Sequence, residues 1–227
     1  MPLLSVIIPV FNESKTIKQI IEKINGVPID KEIIVVDDGS FDGSNIVLKE
    51  IKLNNLKVIY HSSNRGKGAA VLTGLSNAEG EFVIIQDADL EYEPNDYLSL
   101  MRGMRESNAD IVMGARFLKG YGKGLFMHRF GNWFLTELIN FLFGVRLNDS
   151  YTCYKLLRRE TLRKLDIKEQ AFSIEPEIVI KAIRNKLNIK EVPISYYPRT
   201  HMQGKKIRVL DGVKGAISII RLRFWGD

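Results

Sequence analysis

What the chain lacks narrows the choices first. It has a single cysteine, Cys153, which excludes an internal disulfide and a cysteine-built zinc site and fits a reducing compartment. No apolar run reaches the ~18–20 residues needed to span a bilayer. Met1–Leu4 leads directly into a strand pattern with no basic stretch before it, so no signal peptide is expected. The histidines His61, His128 and His201 show no metal-ligand spacing. Also missing is G-x-G-x-x-G after the first strand. Pro9-Val10-Phe11-Asn12-Glu13 has no glycine there and adds a negative charge, which argues against a dinucleotide-binding oxidoreductase. Arg65-Gly66-Lys67-Gly68 looks like a phosphate loop but lacks the G-x-x-x-x-G-K-[ST] spacing, and is read as a flexible turn with a basic residue.

The net charge of +6 is compatible with nucleic acid, an anionic membrane surface or phosphorylated ligands, and does not choose among them. The hydrophobic pattern is more specific. Apolar runs at Leu3–Val10, Lys31–Val36, Leu56–Tyr60, Phe82–Ile85 and Asp110–Ala115 read as strands. Helical patterns lie between them: Ile17–Ile24 with Ser14 as N-cap, Asp42–Leu53, Gly66–Ala78 and Asn95–Glu106. Such alternation with short loops predicts an α/β fold with a mostly parallel, twisted sheet flanked by helices. Sheets of that kind bind ligands beyond the carboxyl ends of their strands. Phe11–Glu13, Asp37–Ser40 and Asp87–Glu91 each follow a predicted strand, so three acidic clusters converge on one edge.

The centre of this pattern is Glu81–Pro94, EFVIIQDADLEYEP. If the strand stays extended past Gln86, Asp87, Asp89 and Glu91 point the same way. Three carboxylates sharing a site resist ionising together, and a hard divalent cation such as Mg²⁺ or Mn²⁺ would remove the repulsion. The plainer reading is an acidic loop between a strand and the helix begun by Pro94-Asn95-Asp96.

After Arg116 the character changes. Leu125–Val145 is rich in aromatics, with Arg129, Asn132, Thr136 and Asn140 forming one polar stripe at helical spacing. This is either a packed helix with a polar outer face or an interfacial helix at a membrane surface. Asn148–Arg158 reads as turn and strand, Glu175–Lys186 as helix, Glu191–Tyr197 as strand and Pro198–Ile207 as a basic loop. Val209–Phe224 is a final helix with Val213, Ile217 and Ile220 on one face and Arg221 and Arg223 in its last turn.

In order and spacing, VIIPVFNE, VVDDGSFDGS, NRGKGAA, QDADLEYEP, GARF, FSIEPEI and EVPISYYPRTHMQGKKI resemble family-two glycosyltransferases of the GT-A fold. The likeness is greatest to the polyprenyl-phosphate sugar synthases, of which dolichol-phosphate mannose synthase is the type, and it spans nearly the whole chain. It implies one domain over 1–227, with a Rossmann-like nucleotide-sugar half at 1–117 and an acceptor-side half at 118–227. Membrane-interface helices are expected near 125–145 and 209–225.

The resemblance implies transfer, with inversion, from a nucleoside-diphosphate sugar: GDP-mannose, UDP-glucose or UDP-N-acetylglucosamine. Pro9, Phe11, Glu13, Val36 and Asp38 would cradle the nucleoside. Asp87, Ala88 and Asp89 match the D-x-D motif, whose carboxylates hold Mg²⁺ or Mn²⁺ on the diphosphate, with Glu91 where relatives often have glutamine. Arg116, Arg129, Arg199 and Lys205 match positions that hold donor and acceptor phosphates, a task suited to the guanidinium fork. The implied acceptor is a polyprenyl or dolichyl phosphate, largely dianionic at neutral pH because its second pKa is about 6. It needs no general base. A saccharide acceptor, the alternative, would need one, and Asp149 is the nearest candidate, although it is placed first in acceptor-side structure. The expected setting is peripheral, on the cytoplasmic face of a membrane. Nucleic acid is not expected as a partner, since it would call for a basic, aromatic surface rather than converging carboxylates.

Overall fold

The apolar run LSVIIPV forms β1 (Leu4–Val10), which lies between β2 (Lys31–Asp37) and β4 (Phe82–Ile85), both parallel to it. A strand with neighbours on both edges and helices over its faces is buried along nearly its whole length, hence Val6-Ile7-Ile8 in sequence rather than an alternating pattern. Pro9 lacks an N–H but sits where β4 has already ended, so no ladder bond is lost. The computed structural model describes residues 1–118, 126–168, 174–199 and 209–225.

The described strands form one seven-stranded sheet in the order β3-β2-β1-β4-β6-β5-β7, with β3 (Leu56–Tyr60), β5 (Ile111–Ala115), β6 (Lys155–Arg158) and β7 (Ile189–Pro193). β6 is antiparallel to both β4 and β5, and the other pairings are parallel. The α/β class and the mostly parallel sheet agree with the sequence pattern. Helices α1 (Ile17–Gly26), α2 (Ser44–Glu50), α3 (Lys67–Ser76) and α4 (Tyr97–Ser107) fill the crossovers. Ser14 is not the cap of α1. Thr16 stands at that position, while the Ser14 N–H donates to the Asp42 carboxylate across the loop.

The later part adds α5 (Phe126–Phe143), α6 (Arg159–Lys164), α7 (Ile174–Arg184) and α8 (Val209–Phe224), with α5, α7 and α8 packed together. Here the structure corrects the packed-helix reading of the α5 polar stripe. Thr136 is buried and hydrogen-bonds Ser150, and Asn140 binds both the N–H and the carbonyl of Leu147. At Thr136 and Asn140 the polar stripe therefore faces inward and closes the turn after the helix. The aromatic side faces out, with Phe130, Trp133, Phe134 and Phe141 all exposed. On α8, Ile219 and Leu222 are buried, whereas Val213, Ile217, Ile220 and Phe224 are exposed. Gly215 lets α8 approach Tyr151, whose hydroxyl would lie 2.6 Å from an added Cβ. Among the described residues no helix is long and apolar enough to cross a membrane.

Candidate active site

The carboxyl ends of β1, β2 and β4 carry the site, and the loops after them are fixed to each other. Asn12 has φ 56°, a left-handed turn that asparagine tolerates. Its N–H donates to Ser40 Oγ, and its side-chain oxygen accepts from the Phe41 N–H. The Glu13 N–H donates to Ser44 Oγ. Phe11 stands edge-on to Phe41 with ring centroids 5.8 Å apart. Gly39, at φ 71°, is pressed against the next loop: a Cβ there would lie 2.7 Å from the Ser63 carbonyl carbon. No other residue meets both demands. Pro9 pairs in register with Val36, so these two expected nucleoside-side residues sit next to each other.

Asp38 is buried, and its carboxylate accepts the N–H groups of Arg65 and Gly66 and faces His61 Nδ1 at 2.6 Å. His61 Nε2 in turn lies 2.9 Å from Thr73 Oγ1. Asp38 thus shapes the Asn64–Gly66 turn, a task its position in the sequence did not reveal.

Asp87 and Asp89 are brought together, but not by strand alternation. The chain turns at Ala88–Leu90, Leu90 adopts φ 63°, and Ala88 is buried beneath the turn. The expectation of three carboxylates along an extended run is corrected in the same way. Glu91 accepts from the Arg199 N–H at 2.7 Å and from Tyr196 Oη at 2.6 Å, which commits both its oxygens to the loop after β7. Burial, then the charges of Asp87 and Glu91, push the Asp89 carboxyl up to about 7 against the pull of the Glu91 N–H and Arg199. Two crowded carboxylates, one of them resisting ionisation, are a donor set that a hard divalent cation suits. Asp87 and Asp89 fit Mg²⁺ or Mn²⁺; Glu91 does not, as arranged here.

The basic residues divide sharply. Arg199 is a hub, bonding the Asp89 carbonyl through Nε and Glu13 through Nη2 at 3.0 Å. It ties the loop after β7 to the loop after β1. Arg116 is buried against the fully buried Asp149, with Nε–Oδ2 at 2.7 Å, Nη2–Oδ1 at 2.8 Å and its own N–H on Oδ2. Burial opposes the Arg116 charge, but Asp149 outweighs it and holds the guanidinium well above its usual pKa. Tyr196 lies under the guanidinium at 5.1 Å. The Arg129 side chain and all of Lys205 lie outside the described residues.

Several contributors escaped the sequence reading. Gln86, fully buried, accepts from Tyr97 Oη and Tyr154 Oη, both at 2.6 Å, and so braces the strand end that delivers Asp87. Lys67 pairs with Asp87 at 2.8 Å. A polar residue closing an apolar strand, and a lysine opening a helix, were the available signals.

The family model for glycosyl transferase family 2 matches residues 5–166, and the chain belongs to that family. Among its relatives is the low-salt glycan biosynthesis hexosyltransferase Agl6 of Haloferax volcanii, 30% identical over 87% of this chain and 48% of that protein. The chain thus spans about half the length of that relative. The polyprenol monophosphomannose synthase of Mycolicibacterium smegmatis is 29% identical over 89% of the chain and 82% of its own length. The fold is shared with glucosyl-3-phosphoglycerate synthase from Mycobacterium tuberculosis, solved with Mg²⁺ and uridine diphosphate. The TM-score is 0.71 at 19% identity, over 98% of this chain and 79% of that one.

Proposed function

We propose that this glycosyltransferase moves a hexose, with inversion, from a nucleoside-diphosphate sugar to a polyprenyl or dolichyl phosphate at a membrane surface. The observation that carries the reading is the state of Asp149. A hydroxyl acceptor needs a base within hydrogen-bond reach, and the candidate carboxylate is fully buried and held by both arms of Arg116. An acceptor that brings its own anionic oxygen removes the need. The outward apolar face of α5 and α8 supports a lipid acceptor. Phe130, Trp133, Phe134, Val213, Ile217 and Phe224 are exposed there, with Arg221 and Arg223 at one end. Aromatic side chains flanked by cations suit the headgroup region. We propose peripheral attachment through this face, on the cytoplasmic side of the membrane.

Pro9, Phe11, Val36 and Asp38 would border the nucleoside, while Glu13 orients Arg199 beside Asp89. Asp87 and Asp89 would hold the divalent metal, which when bound supplies charge neutralisation at the diphosphate. Arg199 adds positive charge beside Asp89, near where negative charge develops on the leaving group. Arg116 was expected to hold a phosphate too, but its guanidinium fork is taken up and neutralised by the buried Asp149, so it braces the site instead. GDP-mannose is the favoured donor, its sugar in keeping with the mycobacterial relative's name, polyprenol monophosphomannose synthase; UDP-glucose and UDP-N-acetylglucosamine present the same diphosphate.

The test is transfer from each radiolabelled donor to a short polyprenyl phosphate, with Mn²⁺ or with EDTA. Metal-dependent lipid product from one donor is expected. Product on a water-soluble saccharide and none on the lipid phosphate would replace this reading.

A further inference from the structure

Behind Asp87 runs a row of charged side chains that the donor and acceptor reading leaves unused. Lys67, the first residue of α3, pairs with Asp87 at 2.8 Å on one side and Glu175 at 3.0 Å on the other. Glu175, in the first turn of α7, holds Lys155 of β6 at 2.6 Å, and Lys155 also donates to the Thr152 carbonyl. Glu175 and Lys155 are buried, and only 15% of the Lys67 side chain is exposed. Signs alternate along the row Asp87–Lys67–Glu175–Lys155, which draws on four separate elements of the fold. Buried ion pairs of this kind stabilise a fold no better than apolar side chains of similar volume. One end of the row opens on the aspartate pair, and that end gives it a use.

We propose that Lys67, positioned by Glu175, is a built-in monocation that shares Asp87 with the divalent metal and sets the affinity for it. The proposal rests on the reading of Asp87 and Asp89 as metal ligands. Without metal, the Lys67 ammonium partners Asp87 beside the crowded Asp89. It is not free to swing away, because Glu175 holds it from behind and Lys155 fixes Glu175. A divalent cation reaching Asp87 therefore meets a fixed positive charge at close range. Metal alone is held weakly. A nucleoside diphosphate, by adding negative oxygens, makes metal and donor bind together. Glu175 acts in the opposite sense by drawing off part of the Lys67 charge. A purely structural row would weaken binding whichever member was removed, whereas this one predicts effects of opposite sign.

The experiment is Mn²⁺ titration of the full chain, read by electron paramagnetic resonance of free Mn²⁺, with thermal melts confirming that each variant is folded. Asp89→Asn should lose binding. Lys67→Met should bind Mn²⁺ at least about tenfold more tightly, because even water-like screening leaves a repulsion of that size between a unit charge and a divalent cation a few ångströms away. Glu175→Gln keeps an amide oxygen to hold the Lys67 ammonium in place but removes the charge that offsets it, so it should bind Mn²⁺ several-fold more weakly. If Asp89→Asn loses binding but Lys67→Met binds no more tightly than the parent, the Lys67 proposal falls and the metal reading stands. If Asp89→Asn binds like the parent, the metal reading falls and the proposal with it. Should Lys67→Met fail to fold, Glu175→Gln decides, and unchanged or tighter binding there overturns the proposal.

Discussion

Asp149→Asn separates a structural carboxylate from a catalytic one. The parent carboxylate takes two guanidinium N–H groups at 2.7 and 2.8 Å and the Arg116 backbone N–H at 3.1 Å, all out of water. Asparagine keeps one oxygen for these donors, turns an NH₂ toward the guanidinium and leaves the arginine charge buried without its counter-ion. Removing one partner of a buried pair costs about 3–5 kcal/mol. At about 2–4 °C per kcal/mol for a domain of this size, the melting temperature should fall by roughly 6–20 °C. Thermal unfolding by circular dichroism reads this directly, and the double variant Arg116→Met/Asp149→Leu should recover part of the loss. Transfer by the folded fraction should keep the acid limb of its pH profile. An unchanged melting temperature with abolished turnover would refute the reasoning and make Asp149 a base.

Asp89 predicts a pH dependence in metal-free protein. Its folded pKa is about 7 against an ordinary 3.8, so the folded form keeps a proton that the unfolded form has released. Stability should therefore fall as pH rises from about 4 to about 7, by at most about 4 kcal/mol. Melts in EDTA across that range should show the fall, and Asp89→Asn should remove it; a parent profile flat over the same range would contradict the crowded-carboxylate account. Replacing Trp133 and Ile217 by serine should leave stability within about 1 kcal/mol, since both are more than half exposed. The same change should reduce sedimentation with anionic liposomes, and undiminished binding would reject the membrane face.

Sequence showed the parts of the fold that local pattern controls. The runs at Val6–Ile8, Ile33–Val36 and Phe82–Ile85 are apolar because parallel strands are buried on both faces, and that shows in one dimension. Relations between distant segments did not show. β6 was expected as a strand, but nothing in KLLR says that it enters the sheet between β4 and β5. The helical period of α5 was visible, yet which side faced inward was not: Thr136 and Asn140 turn in because Ser150 and Leu147 offer them partners. The D-x-D carboxylates were legible as a cluster, while their geometry depended on the left-handed Leu90. The pairing of Arg116 with Asp149, 33 positions apart, needed the fold itself.

The late arrival of β6 bears on how the protein must be made. In the finished sheet β5 lies between β6 and β7, both synthesised after it, and β4 keeps one bare edge until β6 arrives. A nascent chain that has emerged only to about residue 150 therefore holds β5 without a ladder partner and β4 with open N–H and C=O groups. Unpaired edges are templates for joining other chains. A ribosome stalled in that interval would release an aggregation-prone product rather than a smaller working domain. Both edges are covered only once Lys155–Arg158 is threaded into place.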